Sequence, residues 1–211
     1  MALIQLLLTY FHYLIHPFKT HEMLMHPEGF PDEQIMRLSA YESLCASWIF
    51  VIINGIIRII ILNYVLLFLY QLAADSDFEI LGMVSLNDSP GLYFILLSSI
   101  LDIIFYPLFG IFLIQFWEFV IRFFGKMNGT QGDLTQKAQD IMAVKLSSKI
   151  LTLIPFIGGS IEGFASMILM YAGLRKQLHT SVPLTLCVLF TPILLVLIIL
   201  SMFLTLALVL V

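Results

Sequence analysis

The chain has 211 residues, of which 60% are hydrophobic and 11% charged. Soluble domains hold about 45–50% apolar and about 25% charged residues, so a single soluble domain is excluded, and the mean hydropathy of +1.01 agrees. Ten Lys+Arg against fourteen Asp+Glu give a net charge of −4, which leaves no basic surface for phosphate neutralisation and excludes nucleic acid as a partner. The composition is that of an all-α polytopic membrane bundle whose first partner is the lipid bilayer. Cys45 and Cys187 lie in or beside apolar segments far apart in the chain and read as buried thiols, not a disulfide framework.

Taken in order, the apolar run from Ala2 to Ile15 is too short to cross a bilayer and lacks a basic leader. It is expected to lie in the membrane plane as an amphipathic helix that ends at His16-Pro17, because the residue before proline avoids the helical region. Residues 1–40 form this N-terminal segment, with a second helix expected to open at Pro31-Asp32, and residues 41–211 form the membrane domain. Five segments are expected there, at about 45–72, 91–125, 140–154, 159–177 and 182–211. In the second, Pro107 predicts a kink, and Gln115, Glu118 and Arg122 predict an amphipathic extension beyond the membrane. The stretch 126–145 reads as a loop leading into a helix. The third and fourth segments are joined by the uncharged turn Pro155-Phe-Ile-Gly158-Gly159 and form a hairpin whose tip is expected at the outer surface. A broken helix at membrane depth, with protein or water around its freed backbone groups, is the other reading of that turn.

Lys and Arg near span ends set the orientation. The 73–90 loop and the 155–159 turn have none, whereas Lys19, Arg37, Arg122, Lys126, Lys137, Lys145, Arg175 and Lys176 fall on one side. The N-terminus is therefore expected in the cytoplasm and the C-terminus outside.

The order of elements, with Asp133-Leu-Thr-Gln-Lys-Ala138 leading into Ile154-Pro-Phe-Ile-Gly-Gly159 and Gly173-Leu174 near the end of the fourth segment, resembles the Yip family of five-span membrane proteins named for interaction with Ypt/Rab GTPases. The resemblance implies an N-in, C-out five-helix domain, a membrane-organising, trafficking-like or complex-forming role, and, in a short prokaryotic-type member, residence in the cytoplasmic membrane. Residues 1–40 lack the Asp-Leu-Tyr-Gly-Pro motif of the longer eukaryotic members, so Rab-type GTPase binding is not carried over.

Ionisable groups within membrane segments cost at least about 2.5–3.5 kcal/mol each and mark functional positions. Arg58 and Asp102 each lie about 15 Å from their span ends, with Asn54 and Ser98 one turn earlier on the same faces. Lys149 and Glu162 flank the hairpin turn at depths about one helical turn apart. Two readings follow: polar glue that specifies helix packing, or a central site for an ion, proton or lipid headgroup. The first makes the chain a non-enzymatic subunit that joins other membrane subunits or its own copies; the second makes it a small transporter or channel subunit working around Arg58 and Asp102.

Other signals carry less. His12 and His16, at i and i+4, could present two nitrogens to a metal, but interfacial histidines read the same way, and no cofactor is expected. Asp75-Ser-Asp77-Phe-Glu79 opens like a calcium loop, yet Ile80 and Leu86 stand where the glycine and the bidentate glutamate belong. Asn87 and Asn128 match the glycosylation pattern, one against the membrane and the other on the cytoplasmic side. His179 is a lone loop histidine. No catalytic constellation appears, and an enzyme is not expected.

Overall fold

The structure, a computed structural model, describes residues 2–30, 36–75 and 90–210. All the regular structure among them is helical. The order is α1 (Ala2–Ile15), α2 (Pro17–Met25), a 3-10 turn (Pro27–Gly29), α3 (Ala40–Asp75), α4 (Pro90–Met127), α5 (Leu134–Leu146), a 3-10 segment (Ser147–Leu153), α6 (Gly158–Gln177) and α7 (Val182–Leu210). Three of these, α3, α4 and α7, are long and apolar enough to cross a membrane, which marks a membrane protein. The 73–90 loop with its acidic residues and Asn87, and the Pro31-Asp32 helix start, fall mostly or wholly outside the described residues.

Local chemistry explains the ends. His16 precedes Pro17, and α2 restarts with proline in its first turn, where the missing N–H costs nothing. The start of α3 is a capping box that the charge pattern did not advertise: the Glu42 amide donates to Ser39 Oγ at 3.2 Å and the Ser39 amide donates to Glu42 Oε2 at 2.7 Å. Asp133 caps α5, accepting from the amides of Thr135 and Gln136. The long α4 runs through Pro107.

The centre of the bundle is α5. Ala138, Asp140, Ile141, Met142, Ala143, Val144 and Leu146 are all buried, enclosed by α3, α4, α6 and the α1/α2 segment. Its apolar side chains join Leu44, Trp117, Ile121, Met170 and Leu174 in one core and Tyr10, Phe50 and Leu169 in another. Its polar groups are bonded to α3, to Arg37 just before it and to α4. Arg37 donates to both carboxylate oxygens of buried Asp140, at 3.1 and 2.6 Å. Gln139 accepts from the Ala40 amide and donates to Glu118, and the Ala143 carbonyl accepts from Ser43 Oγ at 2.8 Å.

Three expectations change. The stretch read as a loop before residue 140 is the first half of α5, and the third segment is not one helix but α5 continued by 3-10 turns from Ser147. The N-terminal segment packs on the bundle, with Tyr10 donating to the Ser43 carbonyl and Leu6 and Leu7 packed against the same core as Leu151 and Leu153. Cys45 and Cys187 are free thiols but face outward, because the buried faces of α3 and α7 are set by Leu44, Ser47 and Val188 instead.

Candidate functional site

Cross-helix bonds fix which residues share a level. Ser43 meets Ala143, Ser47 Oγ lies 2.8 Å from Tyr106 Oη, and the Trp48 indole N–H donates to the Ile103 carbonyl at 2.8 Å. Above them Gly55 faces Ile103 closely enough that a Cβ would sit 2.8 Å from its Cδ1. This close approach of α3 to α4 brings Arg58 to Asp102, Nη1 to Oδ2 at 3.8 Å. The side chains are 53% and 68% exposed, so the pair lies on the outer surface of the bundle and not in its core.

Lys149 and Glu162 also meet, Nζ to Oε2 at 3.2 Å, across the hairpin. Here the exposures are 27% and 15%. Ser148 donates to Glu162 Oε1 at 3.1 Å, and the Lys149 ammonium lies 5.9 Å from the Tyr106 ring centroid. One turn earlier the Lys145 ammonium stands 5.1 Å over the Trp117 ring, a cation–π contact of the kind worth about 2 kcal/mol when desolvated. Both expected pairs therefore form, but they occupy different environments: one a packed internal network, the other an open surface.

The hairpin turn links them. Gly158 is forced by packing, since a Cβ there would lie 2.5 Å from the Leu151 carbonyl oxygen and 3.1 Å from Thr152 backbone carbons. Gly159 has nothing within 4 Å. Between the turn and α3 lies a cleft of about 490 Å³ lined by Asn54, Arg58, Ile61, Val65, Thr152 and Phe156, among others, with Pro155, Gly158 and Gly159 at its edge. Asn54 and Arg58 share that face, as their spacing requires. Ser98 sits half-buried one turn before Asp102. Phe156 is a residue that sequence reasoning passed over: it is 89% exposed and holds φ at 65°, a left-handed conformation that costs a non-glycine residue about 1–2 kcal/mol.

The weaker signals resolve simply. The His12 and His16 rings lie 5.4 Å apart, and among the described residues no group of three potential metal ligands forms. Asn128 donates to the Leu178 carbonyl at 2.8 Å and Thr130 to the same oxygen at 3.0 Å, tying the end of α4 to the end of α6. His179, at φ 51°, turns the chain into α7. Glu118, expected on an amphipathic extension, pairs with Arg122 at 3.5 Å.

A histidine that the sequence did not single out is the most deeply buried. His21 on α2 packs against Gly173 and Ile141, with its Nδ1 3.0 Å from the Gln177 amide nitrogen. An amide nitrogen only donates, so Nδ1 accepts and the ring is neutral. Burial pushes the imidazole down from 6.5 to about 4. The folded state thus binds the proton less well than the unfolded chain, and stability is complete above about pH 6.5 and lost as pH falls toward 4. At pH 5 the loss relative to pH 7.5 is expected to be about 2 kcal/mol. Thermal unfolding in detergent at the two pH values checks it, and His21→Leu should flatten the difference; an unchanged difference would assign it to other groups.

Comparisons with protein-family models, with curated proteins and with solved structures give no match at a significant level.

Proposed function

We propose that the chain is a non-enzymatic, multi-pass membrane protein that works as a complex-forming subunit, associating with a second copy of itself through the α3/α4 face that carries Arg58 and Asp102. Three crossings, by α3, α4 and α7, place the termini on opposite sides, as five would. Apart from Arg58, Lys145 and Lys149, every Lys and Arg lies toward the hairpin base or in α2 and its flanks, which supports a cytoplasmic N-terminus.

The hairpin then re-enters the membrane instead of crossing it. From the shared level of Ser43 and Ala143, three α-helical and seven 3-10 residues raise the tip by about 20 Å. That is the level of Asn54 to Arg58, which agrees with the cleft they share. Trp48, where the unbroken apolar run of α3 begins, lies about 8 Å above Ser43, so the tip stands about 12 Å inside a core of about 30 Å. An exposed, strained Phe156 flanked by exposed Ile154, Ile157 and Phe164 supports this depth: water would penalise that cluster, and lipid solvates it.

The observation that carries assembly is the exposed ion pair. Around it Ile56, Ile60, Leu101 and Phe105 are exposed, so the surface is otherwise lipid-compatible, and two half-solvated charges at mid-depth cost several kcal/mol if left against acyl chains. A patch carrying one positive and one negative group is self-complementary about a two-fold axis, where Arg58 of each copy faces Asp102 of the other. The element order that resembles the Yip family fits the same membrane-organising role. The cleft beside Arg58 favours a second reading, a small transporter or channel subunit, which solute flux in proteoliposomes separates from the first.

The test is complementation between copies. Chains carrying Arg58→Asp or Asp102→Arg alone have patches of one sign and should run as monomers in mild detergent, while the two mixed should recover the wild-type oligomer. A monomeric wild type, or a mixture that stays monomeric, overturns the assembly reading.

A further inference from the structure

We infer that the cleft between α3 and the hairpin tip is a binding site for the phosphate group of an anionic amphiphile. Its volume of about 490 Å³ falls within the range of small-molecule sites, about 300–1,000 Å³. Its lining divides in two. Arg58, Asn54 and Thr152 supply the polar end, and Ile61, Val65 and Phe156 an apolar wall, so the space suits a ligand with one charged group and a hydrocarbon tail better than a bare ion.

The cation that faces the cleft is Arg58, and within its own chain its charge is incompletely used. A guanidinium has five N–H donors in a planar fork that matches phosphate bidentately, whereas Asp102 meets it through a single contact at 3.8 Å, longer than a hydrogen bond. The Thr152 hydroxyl donates to the Lys149 carbonyl at 2.7 Å and presents its lone pairs, so the positive contribution comes from Arg58, with the Asn54 amide one turn below. Asp102 is not part of the lining; it competes for the guanidinium from the α4 side. An anion in the cleft would draw Arg58 away from Asp102, and removing the aspartate should strengthen binding.

This prediction separates the site from the assembly face. Asp102→Asn should abolish self-association under the reading above yet tighten the anion site, so the two readings fail independently. Free phosphate in the aqueous phase offers the same charged group without the tail, and one arm of the test distinguishes it from the amphiphile.

Protein in phosphatidylcholine nanodiscs is supplied with phosphatidic acid, or with inorganic phosphate, and retained ligand is counted by native mass spectrometry after mild delipidation. Wild type is expected to retain one phosphatidic acid in preference to phosphatidylcholine. Arg58→Gln should lower retention at least tenfold, and Asp102→Asn should raise it. Val65→Trp, which fills the apolar part of the cleft and leaves the charges in place, should lower lipid retention even if Arg58→Gln misfolds. Retention of phosphatidic acid without inorganic phosphate supports the amphiphile, and inorganic phosphate retained alone overturns it. Retention of neither, or retention of phosphatidic acid unchanged by both Arg58→Gln and Val65→Trp, overturns the site.

Discussion

Gly158→Ala is expected to destabilise the protein by about 3 kcal/mol, the upper end for overpacking, and to do so through the hairpin. The added methyl would sit 2.5 Å from the Leu151 carbonyl oxygen and 3.1 Å from Thr152 backbone carbons. Backbone cannot swing aside as a side chain can, so the 3-10 segment and α6 must separate. The adjacent glycines make a sharp control. Nothing lies within 4 Å of a Cβ at Gly159 or Gly163, and Gly163 is inside α6, where alanine is better than glycine by about 1 kcal/mol. Gly163→Ala should therefore be neutral or stabilising. Unfolding midpoints in one detergent, measured for all three substitutions, check the ordering; equal effects at 158 and 163 would show that the turn is not packed as described.

Arg37→Ala should be nearly as damaging, by about 3 kcal/mol, the lower end for breaking a buried pair. Its two bonds at 3.1 and 2.6 Å satisfy Asp140, whose side chain is 5% exposed at the centre of the bundle. Truncation leaves a buried carboxylate with Gln136 at 3.5 Å as its remaining side-chain donor among the described residues. The partner change, Asp140→Asn, should cost less, because Arg37 is half-exposed and water can solvate it while the amide keeps one bond. Thermal stability of the two variants tests this asymmetry, and a larger loss for Asp140→Asn would contradict it.

These two predictions fall on elements that the sequence showed unequally. The long helices were legible because apolar runs and their flanking charges are composition signals, and α1 ends at Ile15, leaving His16, the residue before Pro17, outside the helical region as the proline rule requires. Both ion pairs were legible too, since depth along a helix is arithmetic at 1.5 Å per residue. Hidden was α5. A helix enclosed on all sides shows no amphipathic period, and its Gln139, Asp140 and Lys145 look like loop residues until Ala40, Arg37 and Trp117 are placed against them. Arg37 and Asp140 are 103 residues apart, a pairing that no local pattern announces. The hairpin was found, but its depth was not legible: an uncharged Pro-Gly turn between two apolar stretches looks the same at the membrane surface and within it. What distinguishes the two is the 3-10 stretch, which Ser147, Ser148 and Thr152 support by donating to carbonyls three residues back, together with the cross-bonds that set its level.

The depth of that turn is the account's central claim, and cysteine accessibility measures it directly. With Cys45 and Cys187 replaced, single cysteines at positions 79, 130 and 157 are exposed to a membrane-impermeant maleimide from outside intact cells. A re-entrant hairpin from the cytoplasmic side predicts labelling at 79 and none at 130 or 157, with 130 becoming reactive only after permeabilisation. Labelling of position 157 from outside intact cells would place the tip at the outer surface, restore a five-crossing topology and contradict the re-entrant hairpin.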